Sequence, residues 1–162
     1  MTEMIDLCKK YCVDKQSGLI RNNKKPYYEH SLRVGDMVSK LTDDKDVVIA
    51  AYLHDILEHS NGTEKEITEI FNDRVSDLVK EMTNDKELIK LKGKLKYLTD
   101  KMNCMSEESF LIKLCDRYDN LMDSGSKPSY SIETTNLMKN IDRKLNKTQR
   151  KIINLINSVI TN

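Results

Sequence analysis

Apolar residues recur along the chain with the 3.6-residue spacing of α-helices, and the alternating pattern of β-strands is almost absent. A first helix is predicted over residues 3–14. Residues 16–26 contain Gly18, paired asparagines and Pro26, all of which oppose helix, so this stretch is predicted to be a loop. The pattern as a whole predicts an all-α protein.

The same spacing predicts the remaining helices. A second helix follows Pro26 and ends near residues 42–44, and a third covers roughly residues 44–59. This third helix is apolar almost all round, as in a helix surrounded by others. The other predicted elements are a short helix through Phe71 opened by a Thr63–Glu66 capping box, helices at about 74–82 and 87–103, a helix capped by Ser106, a loop at 124–129 and one or two C-terminal helices. We therefore expect about eight helices.

Composition narrows the class of protein. A length of 162 residues suits one domain spanning 1–162, and 38% apolar with 33% charged residues is the composition of a chain that folds. The formal net charge of +1 gives no electrostatic reason to expect a nucleic-acid or membrane partner. No apolar run approaches the roughly 18 residues of a membrane span, and the N-terminus lacks the pattern of a signal peptide, which makes the cytosol the default location.

The four cysteines suggest no special chemistry. Cys8, Cys12, Cys104 and Cys115 form no CxxC pair, and each lies in an apolar or helical pattern. We expect them to be reduced structural residues.

The stretch AYLHDILEHS, residues 51–60, places ionisable side chains in an apolar helix. Burying an unpaired charge costs several kcal/mol, so His54 and Asp55 need a compensating partner. A metal ion is one such partner, and His30 and Asp116 lie in similar apolar settings on other predicted helices. A hydrogen-bonded core histidine and a salt-bridged aspartate are the ordinary alternatives. Two imidazoles and two carboxylates would suit Mn²⁺, Fe²⁺ or Zn²⁺.

The segments EHSLRV, LHDILEHS and IKLCDRYDNL, in that order, resemble those of the HD-domain metal-dependent phosphohydrolases. PYYEHSLRV, DDKDVVIAAYLHDILE and EITEIFNDRVSDLVKEMT resemble segments of the RelA/SpoT hydrolase branch. The resemblance is strongest over residues 18–123, and its small stand-alone members include the metazoan SpoT-like type. It implies a helical HD domain whose metal ligands are His30, His54, Asp55 and Asp116.

The resemblance also implies an activity, namely hydrolysis of guanosine 3′,5′-bispyrophosphate with release of pyrophosphate from the 3′ position and with Mn²⁺ as the usual metal. A phosphatase acting on another nucleotide such as NADPH, and a catalytically weak HD module that binds a nucleotide, are the alternative readings. Oligomeric state cannot be read from the chain.

Glu58 and His59, which follow the His-Asp pair, are candidates for proton transfer. Glu58 stands at i+4 from His54 and shares its face, so it is the candidate general base or acid. The family usually follows this Glu with Asp, whereas this chain has His59. An imidazole can move protons near neutral pH, or it can simply end the helix.

A polyphosphate needs local cationic groups on a chain of such small net charge. The resemblance assigns the nucleotide base to Arg21 and the sugar or phosphate to Asn120, and it relates Tyr130 to a tyrosine near the nucleotide. Lys24, Lys25 and Lys94 are basic candidates for the phosphates, with a solvated charged face as their ordinary alternative.

Overall fold

The computed structural model describes residues 2–123 and 128–160, and it confirms the all-α prediction. Within these residues no β-strand occurs, and a single antiparallel bridge joins Ile20 to Pro26. The helical segments are α1 (Thr2–Lys15), α2 (Tyr27–Val38), α3 (Lys45–Leu53), α4 (Ile56–His59), α5 (Glu64–Ile70), α6 (Asp73–Met82), α7 (Lys86–Lys92), α8 (Lys94–Cys104), α9 (Glu107–Met122), α10 (Pro128–Lys139) and α11 (Lys147–Ile160).

The chain divides into two compact units, Met1–Thr83 and Asn84–Asn162. In the first unit α3 packs against α1, α2 and α6, and residues 47–53 of α3 are all buried. Gly35 makes the close approach of α2 and α3 possible, because a Cβ atom there would overlap the Tyr52 ring. α3 is therefore the central helix that its apolar sequence predicted.

The second unit has a core of its own, built mainly where α9 packs against α11. Phe110, Ile112, Ile152 and Ile156 are buried there. The guanidinium of Arg143 donates to the main-chain carbonyls of Met102 and Met105, each at 2.8 Å, which satisfies acceptors at the end of α8.

The predicted continuous helix over residues 44–59 was wrong. α3 ends at Leu53 and α4 begins at Ile56, with Asp55 between them at φ −104° and ψ 1°. This backbone conformation lies in the sparsely populated bridge region, where active-site residues are often found. The break therefore falls on the His54–Asp55 pair.

The predicted helix over residues 87–103 is also divided. Gly93 has a φ of +79° and separates α7 from α8, since the left-handed region suits glycine at a helix C-terminus. α2 ends at Val38 rather than near residues 42–44, and a turn with hydrogen bonds from Ser39, Lys40 and Leu41 follows it. These breaks, together with two C-terminal helices, account for the larger number of segments.

The predicted caps are confirmed. Thr63 and Glu66 form the reciprocal capping box that opens α5, and the Ser106 side chain accepts from the Ser109 N–H at the start of α9. Of the loop predicted at residues 124–129, residues 124–127 lie outside the described part of the chain, and the remaining two belong to α10. No helix in the described ranges combines the length and apolar character that a membrane crossing requires.

Candidate metal centre

Three of the predicted ligands meet inside the first unit. His30 projects from α2, while His54 and Asp55 occupy the break between α3 and α4. The two imidazole rings lie 5.1 Å apart, edge to face. The Nε2 atoms of His30 and His54 stand 3.7 and 3.3 Å from Oδ2 of Asp55. All three residues are buried, so the first unit alone assembles two nitrogens and a carboxylate around one point.

The orientation of His54 is fixed by its main chain. Its Nδ1 lies 2.9 Å from the carbonyl oxygen of Ala51. A carbonyl can only accept, so Nδ1 carries the proton, and Nε2 presents its lone pair towards Asp55. This arrangement is the one in which metal-binding histidines are usually held, with the distal nitrogen donating to a main-chain acceptor.

Tyr27 is a functional candidate that the sequence reasoning missed. Its hydroxyl donates to Oδ2 of Asp55 at 2.9 Å, and its ring lies edge to face with His30 at 6.2 Å. The signal was present in the sequence, because Tyr27 stands three residues before His30 and so shares its face of the helix. The tyrosine hydroxyl holds the Asp55 carboxylate in place.

Glu58 and His59 lie beside this group on α4. The Glu58 side chain is 14% exposed and that of His59 is 41% exposed, with 3.8 Å between Oε1 and Nε2. The His59 ring packs against the Tyr27 ring with centroids 5.2 Å apart. The two candidate proton-transfer groups therefore occupy the more open side of the cluster.

The loop before α2 is a tight reverse turn that presents Arg21. The Arg21 N–H donates to the carbonyl of Lys25 at 2.9 Å, and Lys24 has a φ of +66°, the left-handed conformation that a tight turn can demand. The Arg21 guanidinium lies 5.4 Å from the centre of the Tyr27 ring. Lys24 and Lys25 are exposed at the turn.

Asp116, the fourth predicted ligand, lies on α9 in the second unit and is buried there. Its Oδ1 accepts from the Asn120 amide at 2.8 Å, and its Oδ2 accepts from the Lys113 ammonium at 3.1 Å. The Lys113 charge compensates the buried carboxylate. Asn120, predicted to contact the sugar or phosphate, thus also orients Asp116.

Tyr130 and Lys94 meet in a network around Arg117. The Arg117 guanidinium lies 4.7 Å from the centre of the Tyr130 ring and donates to Glu133 at 3.2 Å. Burial raises the pKa of the Tyr130 hydroxyl, which also shares a hydrogen bond with Asn120. The Lys94 ammonium pairs with the same Glu133 carboxylate at 2.7 Å. These residues hold one another within the second unit.

The donor chemistry of the first unit fits a divalent metal ion. Two imidazoles and a carboxylate suit Mn²⁺, Fe²⁺ or Zn²⁺ better than Ca²⁺, which prefers oxygen ligands alone. Outer hydrogen bonds already orient two of these ligands. The Ala51 carbonyl holds the His54 ring through Nδ1, and the Tyr27 hydroxyl holds the Asp55 carboxylate.

Sequence comparisons match the chain to a protein family and to curated relatives. A protein family described as HD domain matches residues 9–141. The chain is 38% identical to guanosine-3′,5′-bis(diphosphate) 3′-pyrophosphohydrolase MESH1 of Xenopus tropicalis, over 62% of this chain and 56% of that protein. It is 34% identical to the Drosophila melanogaster MESH1, over 60% of this chain and 55% of that one. The chain thus spans about half the length of these curated relatives.

Comparison of folds agrees with the sequence matches. A solved structure described as a metazoan orthologue of SpoT that hydrolyses ppGpp superposes with a TM-score of 0.80 at 25% identity, covering 95% of this chain and 93% of that one. A Listeria monocytogenes EGD-e protein superposes with a TM-score of 0.64 at 20% identity over 82% of this chain and 99% of that one, which shows a shared fold. The resemblance to stand-alone members of the RelA/SpoT hydrolase branch is confirmed.

Proposed function

The chain belongs to the HD-domain family, and on that premise we propose that it is a metal-dependent hydrolase of guanosine 3′,5′-bispyrophosphate. Water would cleave the 3′ pyrophosphoryl ester, giving GDP and pyrophosphate. The observation that carries the proposal is the meeting of His30, His54 and Asp55, with the His54 Nε2 lone pair directed at 3.3 Å towards the carboxylate. Relatives named for this reaction support the choice of substrate.

We propose that the two compact units act together as one HD domain, since the family match over residues 9–141 includes most of both. We also propose Asp116 as the fourth metal ligand, as the family resemblance implies. Its burial supports the role, as does its orientation by Asn120.

Mn²⁺ is the proposed metal, with Fe²⁺ and Zn²⁺ as chemically reasonable substitutes for this donor set. A bound divalent ion lowers the pKa of a coordinated water and stabilises charge on phosphoryl oxygens. The protein residues supply the rest of the chemistry. The Glu58 carboxylate accepts the proton of the attacking water, and the His59 imidazole, whose Nε2 lies 3.8 Å from Oε1 of Glu58, passes protons to and from solvent.

Substrate contacts are proposed on both units. Arg21, already stacked against Tyr27 at 5.4 Å, takes the base. Lys24 and Lys25 lie exposed next to it and attract the phosphates.

On the second unit Lys94 binds a phosphate when it exchanges its Glu133 partner for one. Its 57% exposure makes that exchange inexpensive. Asn120 and Tyr130 are proposed to contact the sugar of the nucleotide.

We also propose a cytoplasmic location for the protein. Its proposed partner is a small-molecule nucleotide, not a nucleic acid or a membrane.

A second candidate function is removal of phosphate from another nucleotide such as NADPH. It is favoured by His59, because an imidazole in place of the family carboxylate changes the charge around the reacting phosphate. A nucleotide-binding module without strong activity is the third candidate.

Purified protein with Mn²⁺ and a panel of guanosine bispyrophosphate, NADPH and simple nucleotides would separate the three candidates. We expect pyrophosphate to be released from guanosine bispyrophosphate only. Phosphate from NADPH alone would favour the second function, and metal binding without turnover would favour the third. Asp55→Ala should abolish activity, whereas Asp43→Asn, at an exposed acidic residue of the same unit, should leave it intact.

A further inference from the structure

The last helix, α11, has a buried side and an exposed side of different chemistry. It packs against α9 and buries Gln149, Ile152 and Ile156. The other side borders an open groove of about 540 Å³. Six exposed residues line this groove and form what we call the outer face of α11, namely Lys147, Arg150, Lys151, Asn154, Leu155 and Ser158.

The outer face is a narrow stripe along the helix. Counted from Lys147, its residues stand at i, i+3, i+4, i+7, i+8 and i+11, which places them on one side of an α-helix. At 1.5 Å per residue the stripe is about 16 Å long. Its first half is cationic, and its second half contains neutral polar groups and Leu155, which is 38% exposed. A stripe of this shape suits an elongated partner better than a compact ion.

The three cations of the outer face have no compensating charge in the part of the chain that the structure describes. α11 contains no acidic residue, and none of Lys147, Arg150 and Lys151 forms an ion pair there. Lys147 stands three and four residues before the other two, so like charges are neighbours on the helix surface and repel one another. All three lie in the first two turns, where the positive end of the helix dipole disfavours cations. Negative charge from a binding partner would relieve both costs.

We propose that the outer face of α11 binds an acidic helical segment of a partner protein. Carboxylates spaced i, i+3 and i+4 on that segment pair with the three cations, and an apolar residue one turn further along packs on Leu155. Recognition of a helix in a groove uses anchors with this spacing. The interaction is additional to the proposed hydrolysis and uses none of the residues assigned to it.

Two other classes of partner match the outer face less well. A helix that lies on a membrane needs a wide apolar face, and Leu155 alone is apolar among the six residues of this one. A protein that binds nucleic acid typically contacts about six to ten phosphates. The outer face offers three cations on a chain of net charge +1. Charge complementarity together with one apolar contact therefore favours an acidic protein segment.

The test is fluorescence anisotropy with a labelled synthetic helical peptide that carries glutamates at i, i+3 and i+4 and a leucine one turn later. A companion peptide has glutamine in place of each glutamate. We expect the full chain to bind the acidic peptide about 10-fold more tightly than the companion, with an affinity that falls as salt is added. Arg150→Gln combined with Lys151→Gln should lower the affinity for the acidic peptide about 10-fold, because two charge pairs are lost.

Lys86→Gln combined with Lys90→Gln, at exposed lysines of α7, is the matched control. It removes the same charge from the same compact unit and should retain peptide binding. Circular dichroism checks that each variant folds. Equal affinity for the two peptides, or an equal loss in the two double variants, would overturn the proposal. Tighter binding of phosphatidylserine vesicles or of single-stranded RNA than of the acidic peptide would also overturn it.

Peptide binding and hydrolysis can fail separately. His54→Ala should bind the acidic peptide with wild-type affinity, because the outer face does not use the metal ligands. Peptide binding without hydrolysis of guanosine bispyrophosphate in the wild type would support the outer face and contradict the proposed function. Hydrolysis without preference for the acidic peptide would overturn the outer face and leave the proposed function standing.

Discussion

At the scale of single residues, the chemistry depends on how the Asp55 carboxylate is held. Its Oδ2 lies near both imidazoles and accepts a hydrogen bond from Tyr27 at 2.9 Å. Outer hydrogen bonds of this kind fix a ligand in its binding geometry before the metal arrives. Tyr27 also contacts His59, so one side chain positions both a ligand and a proton-transfer candidate.

The variant Tyr27→Phe removes the hydroxyl and keeps the ring. We expect Mn²⁺ affinity or kcat to fall about 10- to 100-fold, the usual effect of losing such a hydrogen bond. Metal titration and steady-state kinetics measure the two quantities. Tyr28→Phe, at the neighbouring tyrosine, is the control and should retain both. A Tyr27→Phe variant with wild-type affinity and rate would remove the positioning role.

Sequence reasoning was most successful at this scale. His30, His54 and Asp55 were identified because ionisable groups in apolar helices need partners, and the first unit brings the three together. Tyr27 was missed because an aromatic residue on a helix face is usually part of the core. Its role depends on where the hydroxyl points, which periodicity does not reveal.

At the scale of helices, the site depends on how closely α2 approaches α3. Gly35 allows this approach, because the Tyr52 ring occupies the space that a side chain would fill. The same two helices carry His30 and, at the end of α3, His54. The breaks at residues 54–55 and at Gly93 were not predicted, since apolar spacing continues through both. They depend on backbone conformation, which the apolar pattern does not encode.

Gly35→Ala should therefore destabilise the protein. The new methyl group overlaps the Tyr52 ring, and overpacking of a core typically costs about 1–3 kcal/mol. Urea denaturation measures the loss, and a metal titration should show weaker binding because α2 and α3 move apart. Ser39→Ala, at the exposed end of α2, should change stability little. An unchanged free energy of unfolding for Gly35→Ala would contradict the packing described.

An ion pair links α6 to the start of α3. Arg74 donates to both carboxylate oxygens of Asp44, at 2.9 and 2.7 Å. These hydrogen bonds hold the pKa of Asp44 below its ordinary value. The pair therefore stabilises the fold above the unfolded-state pKa of about 3.9 and loses this effect as the pH falls through the lower folded-state pKa.

Arg74→Met should lower stability by no more than about 1 kcal/mol at neutral pH, because Asp44 and Arg74 are partly exposed and solvent screens the pair. The difference from wild type should shrink as the solution is acidified below pH of about 4. Thermal unfolding across this range measures it. Lys65→Met, which breaks a wholly exposed pair, serves as the control. A difference that grows on acidification would contradict the assignment.

At the scale of the whole molecule, the chain divides into two compact units, each of which carries proposed metal ligands. The proposed ligands come from both, three from Met1–Thr83 and Asp116 from Asn84–Asn162. The expectation of a single domain stays a prediction. Metal binding has a thermodynamic consequence, because an ion that binds only the folded protein stabilises that protein through mass action.

Mn²⁺ at one hundred times its dissociation constant should stabilise the wild type by about 2.7 kcal/mol, seen as a higher Tm. Asp116→Asn and His54→Ala should each lose most of this increase, although they lie in different units. Asp142→Asn, at an exposed acidic residue of the second unit, should retain it. A full Mn²⁺-induced increase in Asp116→Asn would show that Asp116 is not a ligand.

The most direct measurement is product analysis with metal-stripped protein and guanosine 3′,5′-bispyrophosphate, before and after Mn²⁺ is restored. We expect no turnover without metal, and GDP and pyrophosphate in equal amounts once Mn²⁺ is added. His54→Ala should remain inactive under both conditions. Turnover unaffected by removal of the metal, or no turnover with Mn²⁺ demonstrably bound, would contradict the account.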